Sequence, residues 1–319
     1  MTKKRSWFAA LAVAFVLPTA FAATTAAAAE VPNGASSQDG SAVVADIIPA
    51  ALNGSQPLDD HGDSYSVKAG VTTVNLPKDG DQWIRMNSGE YALSIGFEAS
   101  KDNARISDTG TAASYEHQNG DSSVVNLTTD GGLRITSVVS SAESPNRFSY
   151  AYDGVALELF QDGGVVGYAE DGSVAVIVQL PWAYDARGTS VPTWYELEGN
   201  TLVQVVDHAS GDYTYPIVAD PTNYGGNTMY QKISAAPDPA GGDRVSVYVG
   251  TYNFSRASND AIWASYKSLV PAKYEAETMK KQLLCHVRNI GALKSPWNLE
   301  TRRPNYSDWD FFVNLCNPN

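Results

Sequence analysis

Four polar side chains near the carboxyl end are of the types that hydrolytic sites use: His286, Glu300, Arg302 and Arg303. An imidazole serves as a general base near neutral pH, a carboxylate orients it, and guanidinium groups clamp a developing anion, a set suited to hydrolytic or phosphodiester chemistry. The competing reading is structural: a helix histidine bonded to a backbone carbonyl, with Glu300 paired to an arginine to lock a turn. The structural reading is the one adopted. Cys285 and Cys316 are the only cysteines. A redox or nucleophilic role for Cys285 needs a free thiolate, whereas two cysteines in an exported chain pair most simply as a disulfide, which is the expectation. Cys285, His286 and Cys316 offer three soft metal ligands at most, and adjacent helix positions point ~100° apart, so no metal or other cofactor is expected.

Two further groups have suggestive chemistry. Trp182, Trp194, Trp263 and Trp297 are flat enough to stack on sugar rings, although aromatics at strand or helix spacing usually fill a core. Asp185, Asp207, His208 and Asp220 are not accompanied by a Gly-x-Ser-x-Gly nucleophile, which points to turn and capping roles.

The elements that must position these residues follow from pattern. Lys3, Lys4 and Arg5 precede an apolar run at residues 7–17 and then small residues, the form of a secretory signal peptide cleaved after Ala22 or Ala29. The run is shorter than the ~20 residues a bilayer span needs, so no transmembrane segment is expected. Residues 30–64 are rich in Gly, Ser, Pro and Asp and read as a leader, mostly disordered with a turn of helix at most. From residue 65 to 221 short runs of Val, Ile, Leu and Tyr are cut by turn pairs at Asp79-Gly80, Asn119-Gly120, Asp130-Gly131, Asp153-Gly154, Asp162-Gly163 and Asp171-Gly172. Five- or six-residue strands joined by such turns make an antiparallel meander, which must curl or pack as a β-sandwich to cover its apolar face. In the segment VALELF, Val155, Leu157 and Leu159 face one way and Ala156, Glu158 and Phe160 the other.

Beyond residue 221 the period changes. A hairpin is expected around the loop APDPAGGD, then a helix capped by Ser258 or Asn259, a second helix with Met279, Leu283, His286 and Val287 along one stripe, and a short helix at residues 307–315. The fold class is therefore α+β: an all-β antiparallel sandwich or curled meander at 65–221, followed by a small disulfide-linked α+β domain at 222–319, with helices and tail from about residue 255. Charge divides along the same line. Residues 30–220 hold 8 Lys or Arg against 27 Asp or Glu, a balance of −19, and residues 221–319 hold 11 against 8, a balance of +3. Such a distribution gives no footprint for nucleic acid and repels anionic membrane surfaces.

Two stretches resemble known families. PWAYDARGTSVPT together with YPIVADP, within residues 181–221, resembles a β-rich region that precedes varied C-terminal domains in secreted actinobacterial proteins, which implies a delivery or scaffold module. QLLCH at 282–286, WNLE at 297–300, RRP at 302–304 and CNP at 316–318 together resemble the actinobacterial domain-of-unknown-function family 2599 over roughly residues 255–319. That second resemblance implies secretion, a compact C-terminal domain and paired cysteines, with no established activity. The resulting expectation is a secreted, acidic, non-enzymatic interaction or envelope-associated module whose partner is a protein or the cell envelope. The alternatives are a secreted effector or toxin with a hydrolytic C-terminal domain, and a cell-wall glycan-binding protein.

Overall fold

Turn glycines set the strand lengths. In the computed structural model, which describes residues 39–97 and 103–318, Gly120, Gly131, Gly154, Gly163 and Gly172 have φ between 83° and 91°. A Cβ is disfavoured in that region, so each Asn-Gly or Asp-Gly pair reverses the chain there. Asp79-Gly80 differs, because it lies in a longer connection between the strands Thr72–Pro77 and Ile84–Ser88 and Gly80 is not left-handed.

The strands form two large sheets with antiparallel pairing. In spatial order the first contains Asp59–Asp60, Ser64–Ala69, Thr72–Pro77, Ile84–Ser88, Tyr91–Gly96, Arg147–Asp153, Thr201–Val206 and Thr193–Glu198. In the second, Gly132–Val139 pairs with Ser122–Leu127 on one side and with both Ile217–Asp220 and Thr222–Gly225 on the other. Alternation directs one face of each sheet inward: Val74, Leu76, Ile84, Met86 and Ile95 from the first share a core with Leu127, Leu133, Ile135 and Val176 from the second. Leu157 and Leu159 also pack on that core, whereas Phe160 turns to the other side of the sheet.

Part of the presumed leader is folded. Helix α1 (Gly40–Ile47) starts where the Asp39 carboxylate accepts from the Ser41 amide, and α2 (Pro49–Leu52) follows with Pro49 at its first position. Val43, Val44 and Ala51 are buried against Val124, Val138, Trp182 and Val218 of the second sheet. Only glycine fits at position 40, since a Cβ there would lie 2.3 Å from the Ser122 hydroxyl. For residues 40–52 the expectation of a mostly disordered leader with a turn of helix at most is thus corrected: burial of Val43, Val44 and Ala51 outweighs the weak intrinsic helix preference of the segment. The expected signal peptide and residues 30–38 lie outside the described residues.

The C-terminal part adds a third sheet, Tyr230–Pro237, Asp243–Val249 and Trp297–Glu300, and helices α3 (Asn259–Lys267), α4 (Glu277–Asn289) and α5 (Asp308–Val313). Ser258 caps α3 through its bond from the Ala261 amide, and Ser307 with Asp310 forms a capping box on α5. Its core is continuous with the second sheet: Val166, Ile177 and Tyr224 pack with Met229, Val247, Ile262, Tyr266, Met279, Leu283 and Trp297. The described residues belong to one compact unit. Among them no helix is long and apolar enough to cross a membrane.

Candidate functional site

The carboxyl-terminal knot is built from α4 upward. Apolar positions of α4 bury Met279 and Leu283 against the third sheet, and this rotation turns Gln282 and His286 inward as well. The Gln282 amide spans to Trp297–Glu300: its Oε1 accepts from the Glu300 amide at 2.8 Å and its Nε2 donates to the Glu300 carbonyl at 3.1 Å. His286 is 1% exposed. Its Nδ1 donates to the Gln282 carbonyl at 2.8 Å, and its ring lies 6.1 Å from that of Trp297. Burial lowers the imidazole pKa, partly opposed by the bond to Gln282, so the ring is neutral at physiological pH.

Glu300 faces away from that histidine in its bonding. Its Oε2 is shared by Arg302 at 2.8 Å and Arg303 at 2.7 Å. Arg303 is buried and also donates to the Pro318 carbonyl, while its own carbonyl and that of Pro304 accept from Thr278 of α4. The sulfurs of Cys285 and Cys316 are bonded, with Cα atoms 5.5 Å apart. Phe311, 1% exposed, packs on the disulfide. Glu300 is thus paired with both arginines, whereas the Nδ1 bond of His286 goes to Gln282, so the carboxylate is engaged by the guanidiniums rather than orienting the imidazole. Sequence reasoning passed over Gln282, whose position one helical turn before His286 was the available signal.

The four tryptophans occupy different places. Trp297 is fully buried and donates to the Gly291 carbonyl, Trp263 stacks on Tyr266 at 5.0 Å, and Trp182 lies under the Arg256 guanidinium. Trp194 is 44% exposed and is bonded to Glu196. Among the acidic residues, Asp185 accepts backbone amides from Arg187, Thr189 and Thr214 at 2.9, 2.7 and 3.0 Å, a turn-fixing role. Though buried, its carboxyl is drawn down to about 2 because those bonds favour the charged form. Among the described residues no three His, Cys, Asp or Glu side chains converge as ion ligands.

Residues 232–319 match the family described as "Protein of unknown function (DUF2599)". The match begins within the hairpin strand Tyr230–Pro237, so it takes in the whole third sheet except two residues and all three C-terminal helices. No curated protein and no solved structure matches the chain.

What the knot leaves outward is apolar. On α5, Trp309 and Phe312 are 68% and 50% exposed with rings 5.6 Å apart, and Val313 and Leu315 beside them are exposed too. Between α5 and α4 runs a groove of about 440 Å³. Lys280, Lys281 and Arg288 line it against two acids, Glu277 and Asp308. Lys280 is tied to Asp260 and Lys281 to the Tyr306 carbonyl, while Arg288 is exposed.

Proposed function

We propose that this is an exported, non-enzymatic binding module in which a β-sandwich scaffold presents the disulfide-tied tail to a protein of the cell envelope. The observation that carries the reading is the exposure of Trp309, Phe312, Val313 and Leu315 on a short helix held by a disulfide, a capping box and the Arg303 bond. Clustered exposed aromatics cost solubility, and rigid presentation lowers the entropy lost on binding. Arg288, exposed at the groove, suits a partner that offers an apolar side chain beside a carboxylate. Export and the delivery role of residues 181–221 rest on the signal-peptide pattern and on the resemblance of those residues to secreted actinobacterial regions.

The test is co-sedimentation of the purified chain with envelope fractions, comparing wild type with Trp309→Ala/Phe312→Ala and with His286→Ala. The double variant should lose association while its Tm stays within a few degrees of wild type. His286→Ala should lower Tm by removing a buried ring and its bond to Gln282, at about 2–4 kcal/mol. A hydrolytic activity abolished by His286→Ala at unchanged Tm would favour the effector reading instead.

A further inference from the structure

A second cavity, remote from the knot, carries charge that the fold does not balance. It measures about 350 Å³ and lies where α1 and α2 meet the second sheet, within the ~300–1,000 Å³ range of small-molecule sites. Ile47, Ile48 and Ala50 form an apolar wall, Trp182 and Tyr184 an aromatic one, and Arg134 and Arg256 bring two guanidinium groups to the same space.

Arg134 is largely committed. Its Nε donates to Thr222 at 3.1 Å and lies 3.3 Å from Asp220, and another nitrogen donates to the Ala51 carbonyl. Arg256 donates to the Tyr184 hydroxyl at 3.0 Å, with its guanidinium carbon 5.9 Å from the centre of the Trp182 ring. Only half-buried, it keeps its other N–H groups for a further acceptor. Asp220, 1% exposed, is the carboxylate set against both arginines. One carboxylate against two guanidiniums leaves a positive excess beside apolar walls, in a chain whose net charge is −13. Burial pushes the Asp220 carboxyl up to about 6, with Arg134, Thr222 and Arg256 opposing, so even this single countercharge is weakened.

We infer that this cavity binds a small monocarboxylate with an apolar body, its carboxylate on Arg256 and its chain or ring between Trp182 and the Ile47–Ile48 wall. Guanidinium groups pair carboxylates in a planar, two-pronged geometry, and the low-dielectric walls strengthen that pairing. An occupant would join three stretches distant in sequence: helices α1 and α2, the second sheet, and the entry to α3. This inference is independent of the tail surface, and neither result bears on the other.

Calorimetry on the full chain tests it, with octanoate as probe and octan-1-ol and inorganic phosphate as controls. Octanoate should bind saturably at one equivalent and raise Tm. Octan-1-ol should bind at least tenfold more weakly, and phosphate should neither bind nor compete. Arg256→Gln should weaken octanoate at least tenfold. Ala50→Trp, an exposed rim position, should fill the cavity and abolish binding, and its Tm without ligand verifies its fold. Equal affinity for octanoate and octan-1-ol, octanoate affinity unchanged in Ala50→Trp, or no saturable octanoate binding overturns the inference.

Discussion

Removing the Cys285–Cys316 bond tests how the tail is held. The bond spans 31 residues, and closing a loop of that size stabilises the folded segment by ~3.7 kcal/mol in the chain-entropy account. Detachment of the tail alone is a smaller event. Arg303 and Thr278 anchor the chain at residue 303, so the freed loop is about 13 residues and the bond opposes its release by ~2.9 kcal/mol, or ~130-fold. The left-handed backbone of Leu315 and Cys316, φ 51° and 68°, adds to the drive for release. In a Cys285→Ala/Cys316→Ala variant, hydrogen exchange should therefore accelerate about 100-fold at the amides of Phe311, Asn314 and Cys316, which bond to Ser307, Asp310 and Phe311 carbonyls. Amides within Asp243–Val249 should be unaffected, because that strand lies between two others. Less than a tenfold change in the tail would refute the reasoning, as would alkylation of both thiols in the native chain without reductant.

Two buried carboxylates should give the protein separate pH limbs. Asp185 has a folded pKa of about 2 against 3.8 for the free group, so its contribution is complete above 3.8 and is lost as pH falls toward 2; Asp185→Ala should flatten that limb and cost about 1.5–3 kcal/mol at neutral pH, measured by urea unfolding. Asp220 has the opposite sign. Its folded pKa of about 6 exceeds the free value, so the native state holds the extra proton between 3.8 and 6, and stability falls by ~3 kcal/mol as pH rises through that window. Asp220→Asn should remove this slope, and a variant whose urea midpoint still falls between pH 4 and 6 would assign the slope to another group.

Local signals in the sequence specify those parts of the fold that depend on a few adjacent residues. The left-handed glycines at 120, 131, 154, 163 and 172, the Ser258 and Ser307 caps and the inward stripe of α4 each rest on local steric or bonding rules. Elements decided by distant partners were not legible. Trp297–Glu300 alternates buried and half-buried residues, but four residues are too few to separate a strand from a turn, and its pairing with Asp243–Val249 spans the helices between them. Helix α1 offers little beyond Ala, Val and Gly, and its place is set by contact with Val124 and Val218. The Arg134–Asp220 pair and Arg256 are brought together by strand order and by the chain's path into α3, which no periodicity announces.

The motif elements of the tail acquire a common physical meaning once their bonds are traced. Gln282 holds Glu300, His286 packs beside Trp297, Glu300 binds both arginines, Arg303 reaches Pro318, and Cys285 is joined to Cys316. These bonds, all within the matched residues 232–319, tie the tail to α4 and the third sheet. His286 gives its Nδ1–H to Gln282 and Glu300 its Oε2 to two arginines, and breaking such bonds leaves a buried partner unsatisfied at about 1–3 kcal/mol or more. What the knot turns outward is the aromatic edge of α5 and the groove beside it, the surface on which the proposed binding role rests.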